Sequence, residues 1–323
     1  MMIKIKHFLA LSVILLTGLG SSVVQAQKFP DKPVKIVVPF APGGGADLLA
    51  RTMSVSLTER WGQPVVVENR PGASGNIGAE IVARAEPDGY TMLLTSSAFV
   101  ISPGMTNKLP FNVEKDFTPI TLAVELPNVL VVHPSVKANS VAELVALIKE
   151  NKTKINYASP GNGTGGHLAA ELFKQSAGVD VLHVPYKGGG AVIADLLAGH
   201  VQMTFATLPS VMAYISSGRV RPLALTTAKR GFIEVPTMIE SGFVGFDLST
   251  WLGFLGPAGM SPAIVNKLNT DLIAVMKSPQ ISEKIKQQGM LEVASTPTDF
   301  AEKIVKDVQM YKGIIQKSGA KTD

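Results

Sequence analysis

This sequence predicts an α/β protein of two similar lobes, with mostly parallel sheets flanked by helices. Apolar runs of strand length alternate with segments of helical length along nearly all of the chain. Most of those runs are continuous rather than alternating, which is how strands covered on both faces read. Two of them lead straight into a glycine-rich turn from which a helix opens, one in each half of the chain.

In chain order, strands are expected at Lys35–Phe40, Val65–Glu68, Tyr90–Ser96, Asn128–His133, Ile155–Ala158, Val181–Pro185, Gln202–Thr207, Pro222–Thr226 and Leu252–Leu255. Helices are expected at Ala46–Trp61, Gly75–Ala85, Val141–Glu150, Gly165–Ser176, Ala191–Ala198, Ser210–Ser216, Pro262–Lys277, Pro279–Gln288 and Pro297–Ser318. Ser140 with Glu143 three residues on is a helix-start signal, and Ser261-Pro262 places proline in a first turn. The last three helices follow Leu252–Leu255 with little strand between them, so they are expected to pack back onto the first lobe. The chain would cross between lobes near Glu125–Asn128 and again near Asp247–Trp251. That divides it into residues 27–127 with 251–323 as one lobe and 128–250 as the other. No repeat of roughly 20–50 residues is present, which argues against solenoids and propellers.

The N-terminus bears on the compartment. Lys4 and Lys6 precede an apolar stretch from Phe8 to Leu19, and Val24-Gln25-Ala26 is a small-x-small cleavage signal. Residues 1–26 therefore read as a signal peptide cut after Ala26, with export to the periplasm. The apolar core is too short for a bilayer span, which needs roughly 20 residues. The chain has no cysteine, which excludes disulfides, thiolate metal sites, a lipobox and cysteine nucleophiles. Its net charge of +5 is scattered, with no basic run interleaved with aromatics, so nucleic acid is not an expected partner.

The glycine turns carry the chemistry. The first runs Val38-Pro39-Phe40-Ala41-Pro42-Gly43-Gly44-Gly45-Ala46-Asp47, and the second Ser159-Pro160-Gly161-Asn162-Gly163-Thr164-Gly165-Gly166-His167. Each leaves backbone N–H groups unpaired at the positive end of a helix dipole, and glycine lets a ligand approach that backbone closely. Each is an anion cup. If the two face each other across a cleft, the chain is a clamp for a small anion. Asp47 reads in two ways, as a carboxylate capping free N–H groups in the first helical turn or as a group aimed into the cleft, and the structural role is the stronger.

Other motifs are weaker. Gly161, Gly163 and Gly166 match the dinucleotide fingerprint, but the acidic residue that should end the next strand, Asp180, precedes it instead. No cofactor is expected. Gly188-Gly189-Gly190 follows Lys187 without the rest of a phosphate loop, and Asp195 beyond it reads as structural or solvated. Gly72-Ala73-Ser74-Gly75 falls one residue short of a nucleophile elbow. Ser159 and His167 lack an acid placed to orient the histidine, and the five histidines show no metal-ligand pairing.

Taken in order, several stretches resemble the Bug family of periplasmic receptors, the substrate-binding proteins of tripartite tricarboxylate transporters. They are the two glycine turns, Val67-Glu68-Asn69-Arg70-Pro71-Gly72-Ala73-Ser74-Gly75, His183-Val184-Pro185-Tyr186-Lys187-Gly188, Val235-Pro236-Thr237-Met238 and Trp251-Leu252-Gly253-Phe254. The resemblance implies a two-lobed, type II periplasmic-binding-protein-like fold with a ligand cleft between the lobes. It implies a small carboxylate held by backbone groups, small side chains and bridging waters, and delivery to integral-membrane permease subunits by a monomeric receptor. By matching position it assigns Phe40, Ala41, Gly43, Ala46 and Asp47 from the first turn and Ser159, Gly161, Gly163, Thr164 and His167 from the second. Ser96, Ser97 and Thr207 join the ligand-binding set because they end strands facing the same cleft. No catalytic or metal-binding residue is expected. The alternatives are a ligand sensor partnering a membrane kinase and an exported serine hydrolase using Ser159.

Overall fold

A computed structural model of the protein describes residues 29–106, 108–150, 155–186, 188–231 and 233–318. The chain separates into two units, Met1–Asp31 and Lys32–Asp323, and both sheets lie in the second. The expected signal peptide, with its cut after Ala26, falls outside the described residues.

The first stretch runs β1 (Val34–Val38), α1 (Gly45–Trp61), β2 (Val65–Asn69), α2 (Asn76–Ala83), β3 (Thr91–Ser96), α3 (Ala98–Met105) and β4 (Phe117–Leu126). The middle runs β5 (Asn128–Val132), α4 (Val141–Glu150), β6 (Asn156–Ser159), α5 (Gly165–Ala177), β7 (Leu182–Pro185), α6 (Gly189–Ala198), β8 (Met203–Thr207), α7 (Leu208–Ser216) and β9 (Arg221–Leu225). The chain ends with β10 (Thr250–Pro257), α8 (Pro262–Met276), α9 (Pro279–Gln287), β11 (Leu291–Glu292) and α10 (Pro297–Ser318). One sheet has the order β11-β4-β10-β3-β1-β2 and the other β7-β6-β8-β5-β9. Only Pro127 separates β4 of one sheet from β5 of the other.

Both sheets are mixed. β1 is parallel to β2 and β3, and β6 to β7 and β8. The strands that follow a crossing run the other way: β5 is antiparallel to β8 and β9, and β10 to β3 and β4. A strand that enters a lobe from the hinge must oppose the strands that leave helices and run toward it. The helical connections account for the parallel pairs, and the crossings add the antiparallel ones.

Two elements were hidden in the sequence by proline. β4 contains Pro119, which stands at an irregularity in the pairing with β10, between Phe254 and Leu255. A bulge is where a strand tolerates proline. α3 contains Pro103, and proline in a short apolar stretch argues against a helix.

The core is continuous from Val37 and Leu93 through Met105 to Leu130, Phe173 and Phe205, so it joins residues of both sheets. Trp251 is fully buried, meets Phe300 edge-on at 5.2 Å and donates its indole N–H to Asp307 at 2.8 Å. α10 packs on β4 and α3 of the first lobe, as expected for the last helices, but it also meets α5 of the second. There the Gln175 amide donates to the Ile314 carbonyl at 3.2 Å. Among the described residues, no helix is long and apolar enough to cross a membrane.

Candidate functional site

Strand direction builds the site. β1, β3, β6 and β8 end at Val38, Ser96, Ser159 and Thr207, while the opposed strands β5 and β10 begin at Asn128 and Thr250. Antiparallel register brings these ends together: Asn128 pairs with Thr207, and Leu252 of β10 with Ser96. Ligands of open α/β sheets bind outside the carboxyl ends of the parallel strands, and here the opposed strands add their first residues to the same edge.

At that edge lies a cavity of about 550–610 Å³ in each of two neighbouring parts. The larger takes Phe40, Ser96 and Ser97 from beside the six-stranded sheet, Thr164 and Thr207 from beside the five-stranded one, and Asn128 and Thr250 from the first residues of β5 and β10. The smaller takes Gly163 of the second turn together with Ser74, Glu80 and Lys108. Ala98 lines both parts, and within the smaller a Cβ added to Gly163 would come within 3.1 Å of the Met105 methyl. Ala41, Gly43, Ala46, Asp47, Ser159, Gly161 and His167 line neither part.

Those that stand back shape the turns. Asp47 is buried, and its carboxylate accepts from the Gly43 N–H (2.9 Å), the Asn69 amide (2.9 Å) and the Arg51 Nε (3.0 Å). The same Asn69 amide also donates to the Phe40 carbonyl at 3.1 Å. Asp47 is thus the strut that folds the first turn back on its helix and sets the position of Phe40, rather than a group facing the cleft. The hydrogen bond and charge of Arg51 hold its carboxyl below the usual aspartate range against the opposing effect of burial. Ala46 is buried beside it, while Ala41 and Gly43 are exposed. Gly43 has a φ of 86°, a left-handed conformation that glycine adopts without steric cost.

The second turn rests on a stack of rings. Thr164 caps α5, and the His167 N–H donates to its hydroxyl at 3.4 Å. His167 in turn accepts the Gly163 N–H on Nδ1 at 3.1 Å. Its ring stacks on His183 at 4.4 Å, and His183 stacks on Tyr157 at 4.5 Å. Tyr157 donates to Glu171 at 2.5 Å, and Lys174 pairs with that carboxylate. Burial, followed by the neighbouring His167, pushes the His183 pKa down to about 4, and burial also lowers that of His167. Both rings are therefore neutral at pH 7, which keeps the His167 Nδ1 lone pair available to Gly163. Ser159 shares a 2.7 Å hydrogen bond with His183 Nε2 and is wholly buried. A substrate carbonyl cannot reach its Oγ, so it is a poor nucleophile and a sound support for Gly161, whose N–H it accepts at 3.2 Å.

The sequence reading missed Asn128, Thr250 and Ala98 of the larger part. The Asn128 amide donates to the Thr250 hydroxyl at 3.3 Å, tying the two crossings together. Both residues sit where the chain was expected to cross, and that position was the available signal. Gly166 is explained by packing: a Cβ there would lie 2.5 Å from the Phe205 carbonyl oxygen, so only glycine lets α5 approach β8 this closely. The loop Gly72–Gly75 is unusual because Ala73 and Ser74 both hold left-handed φ values of 47° and 57°. Both line the smaller part of the cavity.

Known proteins resemble this chain over nearly its whole length. The model of the family described as tripartite tricarboxylate transporter family receptor matches residues 49–320. Protein BugT of Bordetella pertussis (strain Tohama I) is 35% identical over 302 residues, which is 92% of this chain and 93% of that one. A UPF0065 protein from the tcbD-tcbE intergenic region of Pseudomonas sp. (strain P51) is 36% identical over 304 residues, 92% of this chain and 90% of that one. Among solved structures, the periplasmic binding protein BugD superposes with a TM-score of 0.77 at 34% identity, covering 91% of this chain and all of that one. Rpa4515 of R. palustris, solved with adipate, gives 0.79 at 32% identity over 91% of this chain and 100% of its own. MatC (Rpa3494) from Rhodopseudomonas palustris, solved with malate, gives 0.76 at 27% over 89% of this chain and 100% of its own.

Proposed function

The chain belongs to the tripartite tricarboxylate transporter receptor family, and from that premise we propose that it captures a small carboxylate between its lobes and hands it to a membrane permease. Members of this family are solute-binding receptors rather than enzymes, and the two-lobed fold is theirs. The observation that carries the reading is the cavity at the strand ends, where both lobes and both crossings contribute neutral donors and acceptors. Relatives solved with adipate and with malate support a carboxylate as the ligand class.

The site is Phe40, Ser96, Ser97, Thr164 and Thr207, with Asn128 and Thr250 at the hinge and Gly163 in the adjoining smaller part. Ala46, Asp47, Ser159, Gly161 and His167 act behind it by holding the turns. The lobes are residues 27–127 with 251–323 and residues 128–250, a division supported by the membership of the two sheets. The protein works in the periplasm as a monomer, with residues 1–26 as its signal peptide.

Each helix end contributes only about 0.3–2 kcal/mol to an anion, whereas micromolar affinity needs about 8 kcal/mol. Several hydrogen bonds made at once in a partly desolvated cleft supply the difference, water-bridged ones included. Closure of the lobes on the ligand then presents a surface that the permease reads.

A thermal-shift screen of the exported protein against small carboxylates tests this. Ligand at 100 times its Kd adds about 2.7 kcal/mol, or roughly 5 °C at about 2 °C per kcal/mol for a chain this long. A panel in which no carboxylate moves the melting temperature removes the carboxylate reading. A sensor kinase gene beside this one, in place of a large permease gene, would shift the role from transport to sensing.

A further inference from the structure

The larger part of the cavity has two unlike ends. Its polar groups gather where the strands meet, at Ser96, Ser97, Asn128, Thr164 and Thr250. Away from that edge it extends along α6, β8 and α7, where Val192, Ile193, Leu197, Ala206 and Tyr214 form the wall. Two of the hydroxyls along that wall are already used, Thr204 donating to the Ala158 carbonyl at 2.8 Å and Ser210 to the Thr207 carbonyl at 2.7 Å, and the other is the phenol of Tyr214. Among the described residues, none with a charged side chain lines this part. Lys108 and Glu80, which are charged, line the smaller part instead.

We propose that the ligand is an amphiphilic monocarboxylate, with its carboxylate at the strand ends and an uncharged apolar body against α6 and α7. This rests on the carboxylate reading above and narrows it. An apolar body gains by leaving water against such a wall. A second carboxylate in the same place would exchange its hydration for a wall that, among the described residues, is apolar apart from the Tyr214 phenol and holds no cation. The cavity volume of about 610 Å³ leaves room for a body larger than the carboxylate itself. Selection in this protein therefore comes from the far wall, while the polar groups at the strand ends supply affinity for any carboxylate.

Hexanoate and adipate test the proposal because they share six carbons and differ by one remote carboxylate. Titration calorimetry at pH 7 on the exported protein should give hexanoate at least tenfold tighter than adipate. Adipate binding as tightly or tighter overturns the proposal and leaves the carboxylate reading standing. No binding by either acid, or by benzoate and succinate run beside them, overturns both.

A second arm uses Ala194→Lys, at an exposed position on α6 that lines this part of the cavity. Its melting temperature should match the parent within 1–2 °C. The added cation should compress the hexanoate preference at least tenfold or reverse it. An unchanged preference in a folded variant overturns the placement of the apolar body against α6.

Discussion

Replacing Asp47 with alanine separates a loop strut from a ligand contact. The substitution removes one buried carboxylate and strands three donors: the Gly43 N–H, the Asn69 amide and the Arg51 guanidinium. A hydrogen bond to a charged group contributes about 1.5–3 kcal/mol. Arg51 is 53% exposed and Gly43 lies at the surface, so water replaces much of what those two lose. Asn69 keeps its second bond, to the Phe40 carbonyl. The net loss is therefore about 2–4 kcal/mol, which is about 4–8 °C in melting temperature at roughly 2 °C per kcal/mol for a chain this long. The assay is thermal unfolding by circular dichroism, without ligand, at pH 7 and again near pH 2.

The sign of the pH dependence follows from the lowered pKa of Asp47. A carboxylate whose folded pKa lies below its unfolded value stabilises fully above about pH 4 and loses that contribution as pH falls through the folded value. The gap between parent and variant should therefore be widest at pH 7 and narrow on acidification. An unliganded melting temperature within 1 °C of the parent at pH 7, with the ligand-induced shift lost, refutes the strut and assigns Asp47 to the ligand. A gap that stays constant down to pH 2 refutes the charge argument.

Gly166→Ala should cost about 1–3 kcal/mol through the 2.5 Å approach to the Phe205 carbonyl, whereas Gly189→Ala, with open space around it, should change stability by less than about 0.5 kcal/mol; urea midpoints compare them. His183, with its pKa pushed down to about 4, takes up a proton on unfolding between that value and its ordinary pKa near 6.5. Stability should therefore rise with pH across that window, and the His183 ring signal in an NMR titration should remain neutral through pH 5. Trp251→Phe removes the only indole donor to Asp307, whose pKa burial already raises, and should cost about 1–3 kcal/mol; a melting temperature unchanged within 1 °C would show that Lys303 alone satisfies that carboxylate.

Local sequence determined the elements whose signals are local. The glycine turns, the strands that enter them and the caps at Ser140 and Ser261 are legible because each depends on residues within one helical turn. Ser140 does accept the Glu143 N–H and Ser261 the Ile264 N–H. A crossing was expected near Glu125–Asn128, and Pro127 there stands between β4 of one sheet and β5 of the other.

What only the tertiary structure decided is which of those residues face the ligand. Strand direction brings Asn128 and Thr250 to the cleft edge, and direction depends on where the chain re-enters a lobe rather than on side chains. β4 was invisible because Pro119 is acceptable only at a bulge, and the bulge belongs to the pairing with β10. The apolar wall on α6 and α7 exists only because the two helices pack on each other and on β8. Asp47 shows the same division in one residue. Its place in a first helical turn reads from the sequence, but its three donors come from Gly43, Arg51 and the end of β2, and a carboxylate points where its donors are.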